Sequence, residues 1–296
     1  MYPRPPLPTR DGVSPSLAWL PHGSWKTVGE YLAVRFPMVD ENSWRQRMAR
    51  GEVIDDRGNK VGYDDAFRGG ACIYYYRVRV GETPIPFEET ILHHDSELIV
   101  VDKPHFLPVT PGGRFLHESL LVRLKRKTGI DTLAPIHRLD RETAGVMLFS
   151  TNPATRSVWQ SLFRFRQVVK VYEALAPYRD DLTLPTLVSS RIERDEQFFR
   201  VKEVDGEPNA LSRIELIERR GDVALYRLFP ETGKMHQLRV HMNSLGIPIL
   251  NDGFYPVALP CKGDDFSAPL KLLARSIRFT DPVSGVIRQF DSVRSL

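Results

Sequence analysis

Residues 135–145 of the chain read Pro135-Ile136-His137-Arg138-Leu139-Asp140-Arg141-Glu142-Thr143-Ala144-Gly145. Asp140 stands between Arg138 and Arg141, and nearby cations favour the charged form of a carboxyl group. An ionised aspartate suits a nucleophile or an electrostatic stabiliser better than a general acid. Taken alone, such a pattern more often marks a surface cluster of salt bridges. The stretch therefore makes Asp140 a candidate catalytic residue that needs support from elsewhere in the chain.

A second informative stretch is residues 233–241, which read Gly233-Lys234-Met235-His236-Gln237-Leu238-Arg239-Val240-His241. It opens a predicted helix over residues 236–245, which ends at Gly246. His236 and Arg239 share one face of this helix. If that face is the inner one, the planar guanidinium group of Arg239 is well suited to pair with a buried acid.

A third stretch is residues 170–174, which read Lys170-Val171-Tyr172-Glu173-Ala174. In a strand, Lys170, Tyr172 and Ala174 point to the same side. A tyrosine beside a basic residue can stack on a nucleobase and take part in a proton transfer. Most strand tyrosines only pack, so this stretch alone favours packing.

Around these stretches, the pattern of apolar residues predicts a mixed α+β domain. Strands are predicted at residues 98–101, 145–149 and 168–176, in a hairpin over 214–229 and in a pair within 272–290. Besides the helix over 236–245, a basic amphipathic helix is predicted over 116–127. Another helix follows Asn152 as N-cap and places Val158, Leu162 and Phe165 on one face.

Length and proline content predict the domain organisation. A chain of 296 residues is long enough to predict two domains. Residues 1–23 hold six of the 23 prolines and are predicted to be an extended arm. Residues 24–85 show two short helices followed by small strands, and a linker near residues 81–86 separates them from a larger domain over 86–296.

The composition, with 42% hydrophobic and 26% charged residues, is typical of a globular protein. Two cysteines, Cys72 and Cys261, are too few for a disulfide scaffold or a cysteine-rich zinc module and favour a reducing compartment. No apolar run approaches the roughly 18 residues of a membrane span. The N-terminus has no apolar signal core, so we expect a cytoplasmic protein that does not enter a membrane.

The charge of the chain is concentrated in one region. The net charge is +4, but residues 120–172 hold ten basic and three acidic side chains. A run of this kind is as often a solvated helix face as a binding surface. It permits a nucleic-acid partner without requiring one.

The sequence predicts neither a metal site nor a nucleotide cofactor. His236 and His241 are five residues apart and so lie on different faces of a helix, and His93 and His94 also lack ligand spacing. The chain has no G-x-x-x-x-G-K-[ST] loop, no G-x-G-x-x-G fingerprint and no G-x-S-x-G elbow. From the residues alone we predict a cytosolic α+β protein with a basic region and an aspartate, Asp140, flanked by arginines.

Taken together, these stretches resemble the motifs of the RluA-type pseudouridine synthases. The matching segments occur in the family's order over about residues 90–290. In chain order they are residues 98–104 (a strand ending in K-P), 137–145 (H-R-L-D…T-S-G), 170–174 (K-x-Y-x-A), 233–241 (G-R-T-H-Q-I-R-V-H), 246–249 (G-x-P-I) and 272–285 (L-H-A…F…P-x-x-G). Residues 24–85 resemble a degenerate α-L module, a ribosomal-protein-like RNA-binding unit.

Four positions depart from the family's pattern. Ala144 replaces a serine, Lys234-Met235 replace Arg-Thr, and Leu273 replaces the histidine of L-H-A. Neither the expected nucleophile nor its arginine is among them, so the departures bear on substrate choice more than on activity.

The resemblance implies an isomerase that converts a uridine of structured RNA, either ribosomal large-subunit RNA or tRNA, to pseudouridine without a cofactor. It implies a mixed, mainly antiparallel sheet and a monomer. Asp140 is then the catalytic carboxylate, and Arg239 is the buried partner that keeps it ionised. Tyr172 packs against the target uracil and assists proton transfer, while Leu272 lines the base pocket.

The resemblance also implies how the RNA is held. The target nucleotide has to be flipped out of its stack, and Arg138 would occupy the gap that it leaves. The substrate-binding residues are then expected to include Arg141, Lys170, His236 and Gln237. Asp140 could attack the sugar, add to the uracil ring or remove a ribose proton, and the sequence leaves these routes open.

Two other functions remain open at this point. One is a catalytically silent RNA-binding protein that acts in ribosome assembly, whose expected mark is loss of the aspartate; Asp140 is present. The other is a glycoside-type hydrolase with paired carboxylates, for which Glu142 is the available second acid. No further motif supports the hydrolase.

Overall fold

The structure is a computed structural model that describes residues 7–79, 81–197, 199–260 and 263–296. Within these segments the chain forms short strands and helices, which we number in chain order. They are β1 (Ser16–Trp19), α1 (Val28–Arg35), α2 (Glu41–Ala49), β2 (Val53–Asp55), β3 (Cys72–Tyr75), β4 (Thr90–His94), β5 (Leu98–Lys103), α3 (Leu120–Thr128), β6 (Ala134–Pro135), β7 (Ala144–Ser150), α4 (Arg156–Arg164), β8 (Val168–Pro177), β9 (Thr186–Arg194), β10 (Val201–Val204), β11 (Ala210–Arg220), β12 (Val223–Pro230), α5 (Gln237–Ser244), β13 (Leu272–Thr280) and β14 (Ile287–Asp291).

The chain divides into two compact units. The first draws on Met1–Glu82, Gly113–His117 and Val122–Asp131, and the second on Thr83–Gly112, Glu118–Leu121 and Thr132–Leu296. Of the predicted arm, residues 1–6 lie outside the described residues, and the rest includes β1. In the described part of the chain, no helix is both long and apolar enough to cross a membrane.

The first unit contains a three-stranded antiparallel sheet in the order β1-β3-β2. Helices α1 and α2 begin where the sequence supplies a cap: the side chains of Thr27 and Asp40 accept hydrogen bonds from backbone N–H groups three residues later. Leu32 and Trp44 are fully buried in the core between these helices and the sheet.

The second unit is built on an eleven-stranded sheet. Its main path runs β10-β9-β11-β12-β8-β13-β7-β5-β4, while β14 pairs with β13 and β6 with β7. Every pairing is antiparallel except the one between β7 and β13. The predicted α+β fold with a mixed, mainly antiparallel sheet is therefore confirmed, and the predicted strands correspond to β5, β7, β8, β11, β12, β13 and β14.

Two helix predictions were partly wrong. Helix α3 begins at Leu120 and not at residue 116. Helix α4 has Thr155 and not Asn152 at its N-cap, because the Asn152 side chain accepts a hydrogen bond from Ala154 N in the preceding turn.

The apolar face predicted for α4 was also partly wrong. Trp159 and Leu162 are buried, whereas Val158 is 43% and Phe165 63% exposed. The helix ends at Arg164, so Phe165 is its C-cap and not part of its face. The larger apolar surface of Trp159 takes the inner position.

Gly145 is the residue that permits the single parallel pairing. It lies opposite Ala274 of β13 with a φ of +114°, a conformation that other residues rarely adopt. A Cβ atom at this position would overlap the backbone of Ala274. Because Gly145 closely follows Asp140, this contact helps to fix the loop that carries the aspartate.

We expect Gly145→Ala to lower the free energy of unfolding by roughly 3 kcal/mol or more, from backbone strain and overlap together. Gly221→Ala is the control, because Gly221 also has a positive φ, of +68°, but nothing lies near its Cβ position. That variant should lose only about 1 kcal/mol. Urea unfolding measures both, and equal losses would contradict the role given to the β7–β13 contact.

Candidate active site

Eight of the nine predicted site residues line one pocket of the second unit, with a volume of about 790 Å³. The predicted residues that line it are Arg138, Asp140, Lys170, Tyr172, His236, Gln237, Arg239 and Leu272. They come from distant parts of the sequence, so the fold assembles the pocket. Its size is in the range of small-ligand sites.

Four parts of the second unit supply these side chains. Asp140 and Arg138 lie in the loop between β6 and β7. Lys170 and Tyr172 are alternate residues of β8 and so face the same side, as predicted. Leu272 lies on the adjacent strand β13. His236 is the N-cap of α5, which also carries Gln237 and Arg239.

The segment after β5 holds the Asp140 loop in place. Lys103 is fully buried, and its Nζ donates to the carbonyl oxygens of Leu107 and Arg141 at 2.8 and 3.0 Å. Burial lowers the pKa of Lys103 to about 7. His105 Nδ1 lies 2.7 Å from the carbonyl oxygen of Glu142. Buried donors thus meet the backbone directly after Asp140, which limits the positions that its carboxylate can take.

Arg141 is the one predicted residue that is not brought to the pocket. Its Nε donates to the carbonyl oxygen of Phe106 at 3.0 Å, and its Nη1 lies 3.4 Å from Glu142 Oε1. Arg141 therefore stabilises the Asp140 loop through contacts outside the pocket.

Arg239 is the electrostatic centre of the site. It is 2% exposed, and its Nε and Nη2 donate to the two carboxylate oxygens of Asp252 at 2.8 and 2.6 Å. The remaining nitrogen, Nη1, lies 3.7 Å from Asp140 Oδ2. The bidentate partner of Arg239 is therefore Asp252, and not Asp140, the acid that the sequence analysis assigned to it. One guanidinium group faces two carboxylates.

The charges of this triad affect one another. Burial alone would lower the pKa of Arg239, but the hydrogen bonds and charge of Asp252, together with the charge of Asp140, raise it. Arg239 therefore stays charged. Its Nη1 thus places a positive charge 3.7 Å from Asp140 Oδ2.

Two further pocket residues carry shifted pKa values. Burial and the charge of Asp140 raise the pKa of Tyr172, so its hydroxyl keeps its proton at neutral pH. Burial, helped by Arg166, lowers the pKa of Lys170 to about 8. Lys170 Nζ donates to the carbonyl oxygen of Thr232 at 3.0 Å.

His236 and Gln237 differ in what they can offer a ligand. His236 Nε2 lies 3.8 Å from Asp140 Oδ2, and burial lowers the pKa of His236 to about 4. The amide of Gln237 bonds within the protein: Oε1 accepts from Thr232 and Lys234, and Nε2 donates to Leu211 and Ser212. Because these bonds use both donors and both acceptor positions of the amide, Gln237 shapes the loop beside it.

Three residues of the site were missed by sequence reasoning. Asp252 lies in the stretch Asn251-Asp252-Gly253, which indicates only a turn. The sequence around Lys103 predicts the end of a strand but does not indicate that the lysine side chain is buried. Tyr255, whose hydroxyl lies 3.2 Å from His236 Nδ1, had no signal in the sequence. Within the described segments, no three His, Cys, Asp or Glu side chains are grouped so as to hold a metal ion.

Several known proteins with similar sequences are named as RNA pseudouridine synthases. Residues 97–244 match the family model described as RNA pseudouridylate synthase. The dual-specificity RNA pseudouridine synthase RluA of Pasteurella multocida is 33% identical over 201 residues, which cover 66% of this chain and 88% of that protein. A Synechocystis protein, named as an uncharacterized RNA pseudouridine synthase, is 26% identical over 236 residues, covering 76% and 78%.

A solved structure is similar in fold. The human protein named RNA pseudouridylate synthase domain containing 1 superposes with a TM-score of 0.58 and 23% identity, covering 70% of this chain and 84% of that one.

Asp252→Asn should lower the free energy of unfolding by about 3–5 kcal/mol, because it leaves the buried Arg239 without its bidentate partner. The matched control is Glu218→Gln, which removes the carboxylate partner of Arg220 at a site where both side chains are about half exposed. The control should cost about 0–1 kcal/mol. Urea unfolding compares them, and a loss at Asp252 no larger than the control's would show that the pair is not needed.

Proposed function

The chain belongs to the RluA-type RNA pseudouridylate synthase family, which makes it an isomerase, and on this premise we propose that it converts a specific uridine of ribosomal large-subunit RNA or tRNA to pseudouridine. The observation that carries the proposal is the position of Asp140: it lies in the wall of the 790 Å³ pocket, with Arg239 Nη1 3.7 Å from its Oδ2. We expect the protein to act in the cytoplasm as a monomer.

The reaction sets clear requirements for such a pocket. The bond between ribose C1′ and uracil N1 breaks, the ring turns, and a new bond joins C1′ to C5. C5 gives up its proton, and the freed N1 takes up a proton. Bonds are only exchanged within one nucleotide, so the reaction requires no reductant, nucleotide cofactor or metal. The pocket has to supply an ionised group at the sugar or the ring, and enough room for the ring to turn.

Asp140 is the proposed catalytic carboxylate. Each of the three routes, which are attack on the sugar, addition to the ring and removal of a ribose proton, needs it ionised. The positive charge of Arg239 Nη1 lies 3.7 Å from Asp140 Oδ2, and the pairing with Asp252 keeps Arg239 in place. The anchors on the backbone after Asp140 support a fixed carboxylate, and preorganised charge is a large source of catalysis.

Tyr172 and Leu272 are proposed to bind the uracil ring. Both line the pocket, on the neighbouring strands β8 and β13. The raised pKa of Tyr172 keeps its hydroxyl protonated, so that it can donate a proton or a hydrogen bond to the ring as charge develops. Leu272 gives the ring an apolar surface on which to turn.

The target base has to leave its helix before it can enter the pocket, which costs a few kcal/mol of stacking and pairing. Arg138 is exposed at the pocket and is proposed to stack in the gap that the base leaves. Arg164 and Arg166 are exposed among the lining residues and are suited to RNA phosphates. The first unit is proposed to add RNA contacts as an α-L-like module.

The proposed activity is open to a direct assay. RNA labelled with tritium at uracil C5 should release tritium to water when it is incubated with the protein, because C5 loses its hydrogen when it bonds to the sugar. RNA from cells that lack the gene leaves the target site unmodified. Release from one RNA fraction would also identify the substrate class. Binding of RNA without any release would favour the alternative, a catalytically silent RNA-binding protein in ribosome assembly.

Asp140→Asn should abolish tritium release, by at least about a thousandfold, since the amide can neither attack nor take a proton. RNA binding, measured by filter retention at fixed salt, should persist, because the arginines of the pocket remain. Asp181→Asn, which alters an exposed partner of Arg179, is the control and should keep normal turnover. Wild-type turnover in the Asp140 variant would refute the assignment of the catalytic residue.

A further inference from the structure

The hydroxyl of Tyr255 makes three polar contacts behind the pocket. It lies 2.9 Å from the carbonyl oxygen of Val201, 3.0 Å from the N–H nitrogen of Val201 and 3.2 Å from His236 Nδ1. Tyr255 and Val201 are both buried. Burial raises the pKa of Tyr255, so the hydroxyl keeps its proton at neutral pH.

The single proton of this hydroxyl determines the proton position on His236. A phenol oxygen donates once and accepts up to twice. If the proton points to the Val201 carbonyl, the oxygen accepts from Val201 N–H and from His236 Nδ1–H, and all three contacts are hydrogen bonds. If it points to His236, two acceptor oxygens face each other at 2.9 Å. The first arrangement satisfies every buried group, so Nδ1 carries the proton.

His236 is neutral in this arrangement, so its other nitrogen is a bare acceptor. Its side chain is 7% exposed, and burial lowers its pKa to about 4. The charged groups that face it are the carboxylates of Asp140 and Asp252 and the guanidinium groups of Arg138 and Arg239. With the proton on Nδ1, the Nε2 lone pair lies 3.8 Å from Asp140 Oδ2.

The backbone and the packing also hold the imidazole ring in place. His236 has a φ of +52°, in the left-handed region that is uncommon for residues other than glycine. Its ring packs on those of Phe254 and Tyr255. Strained positions of this kind persist where surrounding contacts determine them, often at functional sites.

We propose that Tyr255 is a positioning residue, which holds His236 in the tautomer protonated on Nδ1 so that Nε2 accepts a hydrogen bond from the target uridine beside Asp140. This inference rests on the proposed function. Two acceptors that face each other at 3.8 Å attract a donor between or beside them. Uridine within an RNA chain has two such donors, the ribose 2′-hydroxyl and the ring N3–H.

The tautomer can be measured without RNA or turnover, by long-range ¹H–¹⁵N spectra of the ¹⁵N-labelled full chain at pH 7. The signals of His236 are those that disappear in His236→Gln. We expect a neutral ring with the proton on Nδ1, and a mixture of tautomers in Tyr255→Phe. A wild-type ring protonated on Nε2 would overturn the proposal. Since no activity enters this measurement, its failure is distinguishable from a failure of the proposed function.

Turnover tests whether the tautomer matters for the reaction. Tyr255→Phe keeps the aromatic packing but loses the hydroxyl, and should lower kcat/KM for tritium release about tenfold. The control is Tyr226→Phe, which also loses a buried hydroxyl, one that donates to the Pro177 carbonyl at 2.9 Å outside the pocket. It should keep normal turnover. Equal effects of the two variants on turnover would mean that Tyr255 is only structural.

Two substitutions of His236 distinguish the role of its Nε2 acceptor from the packing of its ring. His236→Gln can present an amide oxygen near the position of Nε2, whereas His236→Phe keeps a ring without an acceptor. We expect about a tenfold loss of kcat/KM in the first and about a hundredfold loss in the second. A glutamine variant no better than phenylalanine would overturn the acceptor role.

The donor on the uridine is identified by titrating the labelled protein with uridine 3′,5′-bisphosphate, which has only the two donors present in an RNA chain. We expect the His236 Nε2 resonance to shift. The 2′-deoxy and N3-methyl forms then reveal which donor is used, because one of them should cause no shift. Equal shifts with all three compounds, or no shift with the first, would contradict a hydrogen bond from uridine to Nε2.

Discussion

A buried guanidinium group shared by two carboxylates is the interaction on which the site depends. Arg239 is almost fully buried, and a buried charge is tolerated only when it is paired and hydrogen-bonded. Asp252 satisfies two of its nitrogens, which leaves Nη1 facing Asp140. The pairing joins helix α5 to the turn at Asp252. That same turn donates the backbone N–H groups of Phe254 and Tyr255 to Asp252, so the residues around His236 belong to one hydrogen-bonded unit.

The other side of the site is held by the sheet and by a buried lysine. Lys103, at the end of β5, bonds to the carbonyl oxygen of Arg141, and Gly145 allows β7 to approach β13 directly after the Asp140 loop. The backbone next to Asp140 is thus held by the amine of Lys103, and the Asp140 carboxylate faces Arg239. This arrangement leaves the Asp140 loop little freedom to turn away from the pocket.

The residues that could be predicted from the sequence are those in short motifs with a regular period. Lys170 and Tyr172 alternate along a strand, so local geometry was enough to put them on one side. The sequence left open whether Arg239 faces inward on its helix, and the structure shows that it does. Asp252 could not be predicted, because its partner is 13 residues away and the turn residues around it carry no information about that contact. The face of α4 was wrong at two positions, because Trp159 and not Val158 packs inward beside Leu162, and because the helix ends before Phe165. Arg141 was expected to bind substrate but lies outside the pocket, because the charge of a loop residue does not reveal where its side chain points.

The sequence and the structure together support a chemistry in which the protein supplies fixed charges and a shaped cavity while the nucleotide rearranges within itself. The measurement that tests this most directly is the pseudouridine content of RNA from cells lacking the gene, before and after incubation with the purified protein. After digestion to nucleosides, chromatography with mass detection should show pseudouridine gained and uridine lost in equal amounts, at one or a few positions of an RNA fraction. No gain of pseudouridine in any fraction would contradict it.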